Sequence, residues 1–142
     1  MTEYIPSPRD HVREQVELYE ATDGVEGYRI NGYPCIILTY RGRRTGGCRK
    51  TPLIRVIHEG QYVLVGSYGG RPKSPLWVAN LLDYPAVTVR DRAEVFEVRA
   101  RVVDESEEYA RVWRTAVDVF PSYEQYQEMT ERLIPVFVCE PR

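Results

Sequence analysis

Between Pro34 and Val103 the sequence breaks into short strand-like runs set apart by turn residues, and no other feature limits the fold as much. Cys35-Ile-Ile-Leu-Thr-Tyr40 reads as a buried strand, and Leu53-Ile-Arg-Val-Ile-His58 alternates its faces. Glu59-Gly60 turns the chain into Tyr62-Val-Leu-Val-Gly-Ser67, and Val87–Arg90 with Val95–Val103 forms a second hairpin. Ile134-Pro-Val-Phe-Val-Cys139 closes as a strand. Tight turns join these runs, without the strand–helix–strand alternation that builds parallel sheets. The expected architecture is α+β: about six antiparallel strands in a small barrel or curled sheet, with helices at the ends.

The helical pieces are fewer. Ser7 as cap and Pro8 in a first turn open a helix with Val12, Val16 and Tyr19 on one face, ending near Thr22–Gly24. Its acids, Asp10, Glu14, Glu17 and Glu20, argue against anionic lipid and for a packed surface helix. Pro75 to Leu82 is a short helix with Ser74 as its cap. Asp104–Glu107 begins another helix, which carries Tyr109, Val112, Trp113 and Ala116, and a last one holds Tyr123 and Tyr126. With 142 residues, 43% of them apolar, and no linker or repeat, the chain reads as one domain. An N-terminal helical segment, 1–31, precedes a body, 32–142. No apolar run approaches the roughly 20 residues of a spanning helix, and the first ten residues lack a signal-peptide core. The expected compartment is the cytoplasm, with membrane contact at most peripheral. Cys35, Cys48 and Cys139 have neither disulfide-framework nor zinc spacing. His11 and His58 have no visible nucleophile or metal partner, and Asp83, Asp91 and Asp104 read as turn and cap residues.

Chemistry concentrates in two loops. Arg41-Gly-Arg-Arg-Thr-Gly-Gly-Cys-Arg-Lys50 places five cations in ten residues with no acid, in a chain of net charge -2. That balance argues against a general nucleic-acid binder that relies on overall positive charge. Arginine forks and glycine-exposed N–H groups suit a phosphorylated or polyanionic ligand, and the spacing is not that of a Walker loop. The second loop, Gly66-Ser-Tyr-Gly-Gly-Arg-Pro-Lys-Ser-Pro-Leu-Trp77, adds Arg71 and Lys73, again without an acid. Trp77 and Asn80 share one helix face, where they either lock the helix down or meet a ring-shaped ligand. Phe120, Tyr123 and Tyr126 line one side of a short helix, as core or as a wall over a flat ligand.

Taken in order, Gly32-Tyr-Pro34, Arg41-Gly-Arg-Arg-Thr-Gly, Arg49-Lys-Thr-Pro-Leu53, Ser67-Tyr-Gly-Gly70, Pro75-Leu-Trp-Val-Ala-Asn80, Trp113 and Tyr123-Glu-Gln-Tyr126 with Ile134-Pro135 resemble the deazaflavin-dependent nitroreductases. These are actinobacterial enzymes that use coenzyme F420. The resemblance runs from about Gly32 to Pro141. It implies a split β-barrel oxidoreductase in which reduced deazaflavin delivers hydride to a small acceptor, a quinone or, adventitiously, a nitroaromatic compound such as a nitroimidazole. By position, Arg43, Arg44, Thr45, Arg49 and Lys50 would hold the phosphate and glutamyl tail, and Thr51, Pro52 and Leu53 would lie along the coenzyme. Ser67, Tyr68, Gly69 and Gly70 would border the ring, with Trp77 and Asn80 nearby. Tyr123 and Tyr126 would form the acceptor wall, and Tyr123, Ser67 or water would supply a proton. The better-studied nitroreductases carry tyrosine where Phe120 and Ile54 stand here, which favours quinones as acceptors. The alternatives are an FMN-binding split barrel, since FMN also joins a phosphate to a planar ring, and a non-catalytic anion-binding module.

Overall fold

Cys35, Ile36, Ile37 and Leu38 are four successive residues with no solvent exposure. A strand can bury such a run only when both its faces are covered. In the computed structural model, which describes residues 3–142, they lie in β2 (Tyr33–Arg41). β2 pairs antiparallel with β3 (Cys48–Ile54) and with β6 (Ala86–Asp91), and a two-residue β1 (Arg29–Ile30) pairs with its start. From β6 the antiparallel ladder continues through β7 (Glu94–Val102), β8 (Val136–Pro141) and β5 (Gln61–Val65) to β4 (Val56–His58). Only Arg55 separates β3 from β4. The two ends of the ladder are therefore joined by the chain itself, and the sheet curls into a barrel.

The described strands number eight where about six were expected. One extra strand is β1, and the other comes from the break at Arg55 inside the expected strand 53–58. β3 also starts five residues earlier than the apolar pattern shows, because its ladder with β2 runs out to the pair Arg41 and Cys48. Arg49, Lys50 and Thr51 thus sit on a strand, and the loop shrinks to residues 42–47.

Strand alternation fills the barrel with Ile36, Leu38, Leu64, Val87, Val89 and Phe137, and Trp77 and Leu81 of α2 (Leu76–Asp83) close the same cluster. Outside, α1 (Asp10–Ala21) lays Val16 and Tyr19 on Cys35 and Ile37. α3 (Ser106–Val119) and α4 (Ser122–Glu128) cover Val56, Val63, Val65 and Val136 with Val112, Ala116, Phe120 and Tyr123. The helix starts differ from expectation at two serines. α1 is capped by Arg9 without a side-chain bond, and Ser7 Oγ accepts the Arg9 N–H at 3.2 Å. α2 is capped by Pro75, because Ser74 Oγ is taken by Arg132 Nη1 at 3.2 Å. At α3 the acids behave as expected, and Glu105 accepts the Glu108 N–H at 2.6 Å. No described helix is long and apolar enough to cross a membrane.

The break at Arg55 is held by Asp91, which is 3% exposed at the β6–β7 turn. Asp91 Oδ2 accepts from Arg55 Nε at 2.8 Å and from the Tyr62 hydroxyl at 2.7 Å. Burial alone would raise the Asp91 pKa, but the Tyr62 hydrogen bond and the Arg55 guanidinium outweigh it and hold the carboxyl below its ordinary value. Asp91→Ala leaves a part-buried arginine without its partner, and should cost about 3 kcal/mol in urea unfolding at neutral pH. The sign of the pH dependence follows from a lowered folded pKa. The contribution is complete above the unfolded carboxylate value of about 3.9 and fades as pH falls through the folded one, so wild type and variant should converge in acid.

Candidate active site

The β2–β3 hairpin ends in a tip that closes on itself. Gly42 N–H donates to the Gly47 carbonyl at 2.7 Å, Gly46 N–H to the Gly42 carbonyl at 2.8 Å, and Thr45 Oγ1 accepts the Gly47 N–H at 3.1 Å. Asn80, buried on α2, fixes the tip from below. Its Oδ1 accepts the Arg43 N–H at 2.7 Å while its Nδ2 donates to the Leu76 carbonyl at 2.7 Å. Trp77 packs on Phe137 with ring centroids 5.8 Å apart. Both side chains thus hold α2, Asn80 against the tip and Trp77 against the barrel core.

The expected anion ligands divide. Arg43 Nε already meets Asp83 at 3.0 Å, and Lys50 Nζ is gripped by both Glu20 oxygens at 2.8 and 2.7 Å. Arg44 and Arg49 make no ion pair among the described residues. Cross-strand partners share a face, so Arg49, Thr51 and Leu53 lie on the interior side with Tyr40, Leu38 and Ile36. Lys50 and Pro52 lie on the outer side, with Thr39 and Ile37. A loop could have presented Arg49 and Lys50 to one ligand side by side; a strand turns them to opposite faces.

The second loop makes a tight left-handed turn. Ser67 is right-handed helical (φ -71, ψ -39), and Tyr68, Gly69 and Gly70 follow with φ of +48, +62 and +78. A right-handed residue followed by a left-handed one aims successive N–H groups toward one point, an anion-binding nest. The N–H groups of Gly70 and Arg71 close the turn onto the Ser67 and Tyr68 carbonyls, and those of Ser67, Tyr68 and Gly69 have no backbone acceptor among the described residues. Above Gly69 there is open space, since a Cβ there would meet nothing within 4 Å. At Gly70 a Cβ would lie 2.8 Å from the Tyr126 carbonyl oxygen and 3.0 Å from its Cα, so only glycine lets α4 come this close.

Arg132 went unmarked in the sequence, where it reads as an ordinary charge in the irregular stretch before the last strand. It clasps the turn from behind. Nη2 donates to the Ser67 carbonyl at 2.8 Å, Nε to the Arg71 carbonyl at 2.9 Å, and Nη1 to the Gly66 carbonyl and Ser74 Oγ, both at 3.2 Å. No carboxylate pairs with it among the described residues, and desolvation lowers its pKa. On the open side, Tyr68 accepts a hydrogen bond from Arg9 Nη2, and the Arg71 guanidinium lies 4.4 Å from its ring centroid. The Arg9 bond, with both guanidinium charges, holds the phenol below its ordinary range.

The tyrosine wall is partly core. Tyr123 is 4% exposed, with ring centroids 4.9 Å from Phe120, 6.2 Å from Trp113 and 6.3 Å from Tyr126. Burial pushes its phenol pKa up. Tyr126 is half-buried and borders the turn at Gly70. Ile54 and Phe120 fall in the same apolar cluster.

Residues 3–9 connect the two loops. Cys48 N–H donates to the Glu3 carbonyl at 2.6 Å, Ile5 N–H donates to the Cys48 carbonyl at 2.8 Å, and the Ile5 side chain occupies the space a Cβ at Gly47 would need. Four residues on, Arg9 reaches Tyr68. The backbone from Ile5 to Arg9 spans at most about 14 Å, so this segment ties the Cys48 end of the hairpin to the turn.

A model of the F420H(2)-dependent quinone reductases matches residues 11–141. An F420H(2)-dependent quinone reductase of Mycobacterium tuberculosis is 35% identical over 128 residues, covering 88% of this chain and 86% of that protein. A solved F420-H2 dependent reductase (FDR-A) is 40% identical with a TM-score of 0.69, over 75% of this chain and 94% of its own. Another solved chain, described as a domain-swapped dimer, is 39% identical with a TM-score of 0.72, over 94% of this chain and 100% of its own. Fold and family together define an oxidoreductase of the split β-barrel type. The chain belongs to the F420H(2)-dependent quinone reductase family, and its hydride donor is reduced coenzyme F420.

The clasp is testable without coenzyme. Arg132→Gln removes charge-assisted bonds worth about 1.5–3 kcal/mol, and amide exchange at Gly66, Gly70 and Arg71, whose N–H groups are hydrogen-bonded, should accelerate at least about tenfold. Unchanged protection would show that the turn holds itself.

Proposed function

We propose that this protein seats the polyanionic tail of reduced coenzyme F420 on the hairpin tip and its flat ring on the Ser67–Gly70 turn, and that a quinone is the acceptor. One observation carries the reading: a left-handed turn, whose Ser67, Tyr68 and Gly69 N–H groups have no backbone acceptor among the described residues and which has open space above Gly69, is tied through residues 5–9 to a hairpin whose Arg44 and Arg49 make no ion pair among the described residues. The donor chemistry fits, since the groups left without a carboxylate partner at both places include backbone N–H groups, guanidinium groups and hydroxyls.

Reduced deazaflavin, when bound, supplies the hydride. Arg44, Arg49 and Thr45 hold the phosphate and the glutamyl carboxylates, so binding energy far from the reacting carbon orients the ring. Arg43 contributes through its N–H bond to Asn80, and Thr51 and Leu53 line the interior side of the strand. Lys50 and Pro52 act from the outer face, where Glu20 anchors the strand. Trp77 and Asn80 support the tip. The N–H groups of Ser67, Tyr68 and Gly69 stabilise negative charge in the ring pocket. Gly70 lets Tyr126 border the acceptor, with Tyr123 packed behind it. Ile54 and Phe120 bring no hydroxyl to that wall, which favours quinones over nitroaromatic compounds.

An anaerobic titration with F420 and, separately, with FMN, followed by menadione, tests the reading. Binding of F420 and rapid reoxidation are expected; binding of FMN alone would move the protein to a flavin enzyme. In the Arg44→Ala, Arg49→Ala double variant, coenzyme affinity should fall about 100-fold, with a flatter salt dependence, given about 1.5–3 kcal/mol for each charged hydrogen bond. Unchanged affinity would remove the tip from the site.

A further inference from the structure

Hydride addition leaves a quinone as a hydroquinone monoanion, one proton short of product. Several hydroxyls lie around the turn, and their surroundings differ. Tyr109 O–H is committed to the Ile134 carbonyl. Tyr123 is sealed among aromatic rings. Tyr68 stands apart. It is half-exposed, and it sits inside the nest sequence between Ser67 and Gly69. Its φ of +48 is a conformation that costs a bulky residue energy and concentrates at functional sites.

Its hydrogen bonding is informative. Guanidinium groups donate and never accept, so the bond from Arg9 Nη2 uses an oxygen lone pair and leaves the phenol's own proton free. The charges around it share one sign. Arg9 comes from the N-terminal segment, Arg71 stacks on the ring, and Arg132 binds the carbonyls of Ser67 and Arg71 on either side. At Gly70 the nearest atoms from α4 and the residue that follows it are the Tyr126 backbone and the Met129 side chain, which bring no charge.

We propose that Tyr68 is the acid that completes reduction of the acceptor. Its O–H bond breaks, the proton passes to the hydroquinone monoanion oxygen, and Arg9 and Arg71 hold the phenolate until water returns a proton. Two electrons and one proton arrive as hydride, the second proton comes from Tyr68, and the product is the neutral hydroquinone. The lowered phenol pKa supports this, because a general acid works best with a pKa near the working pH. The role rests on the deazaflavin reading above.

The test begins with coenzyme-free protein. In a tyrosinate absorbance titration, one phenol should ionise ahead of the others; it should be missing in Tyr68→Phe and move toward its ordinary value in Arg9→Gln. In the loaded enzyme, Tyr68→Phe should lower kcat for menadione about 100-fold, within the range of general-acid effects, while the coenzyme Kd changes less than about threefold. An acid must be protonated to act, so the wild-type rate should fall as pH rises through the phenol's pKa. That fall should move to higher pH in Arg9→Gln. If Tyr68 ionises with the other tyrosines, or Tyr68→Phe keeps its kcat in an enzyme that binds F420, the acid role is wrong and the deazaflavin reading survives. If wild type binds no F420, both fall.

Discussion

Everything in this fold depends on covering β2 twice. Its backbone is hydrogen-bonded to β3 along one edge and β6 along the other, so the strand is held on both sides. A one-residue slip would exchange Ile36 and Leu38, which face the barrel interior, with Cys35 and Ile37, which face α1. Both sets are apolar, so burial alone does not fix the register. Polar contacts at the periphery do: the Tyr19 hydroxyl binds the Cys35 carbonyl at 3.1 Å, and Asn80 binds the Arg43 N–H just past the end of the strand. The hairpin tip is positioned by the same bonds.

Electrostatically, the site is built by segregation. The chain carries a net charge of -2, yet the turn and its surroundings gather Arg9, Arg71 and Arg132 without a paired carboxylate among the described residues. Acids elsewhere are spent on neutralising cations, as Glu20 does for Lys50 and Asp83 for Arg43. What remains unpaired is what a polyanion can use. Arg132 shows how such a charge is tolerated: backbone carbonyls, with their dipoles, take the place of a counter-ion.

Local patterns in the sequence were a good guide where local rules decide. The apolar run at 35–40, the turn at Glu59-Gly60, the face shared by Trp77 and Asn80, and the acids opening α3 all follow from spacing and cap chemistry. Reading failed where a distant residue overrides a neighbour. Ser74 is a good cap by composition, but Arg132, nearly sixty positions later, claims its hydroxyl. Arg55 looks like the polar face of a continuous strand until Asp91 draws it into a corner. The glycines and cations of 41–50 hid a strand beginning at Cys48, so ligands expected side by side alternate between two faces.

β8 lies between β7 and β5, so residues 136–141 supply the ladder that joins two halves made much earlier in the chain. Until that segment is synthesised, β5 and β7 each present an open edge, and the barrel interior has no Phe137 to fill it. The nascent chain must therefore remain unclosed until residues 136–141 have been made. Its folding is governed by contacts some seventy residues apart, the regime in which topology, more than stability, sets the speed. A host that makes this enzyme in quantity has to shield two sticky edges for that interval.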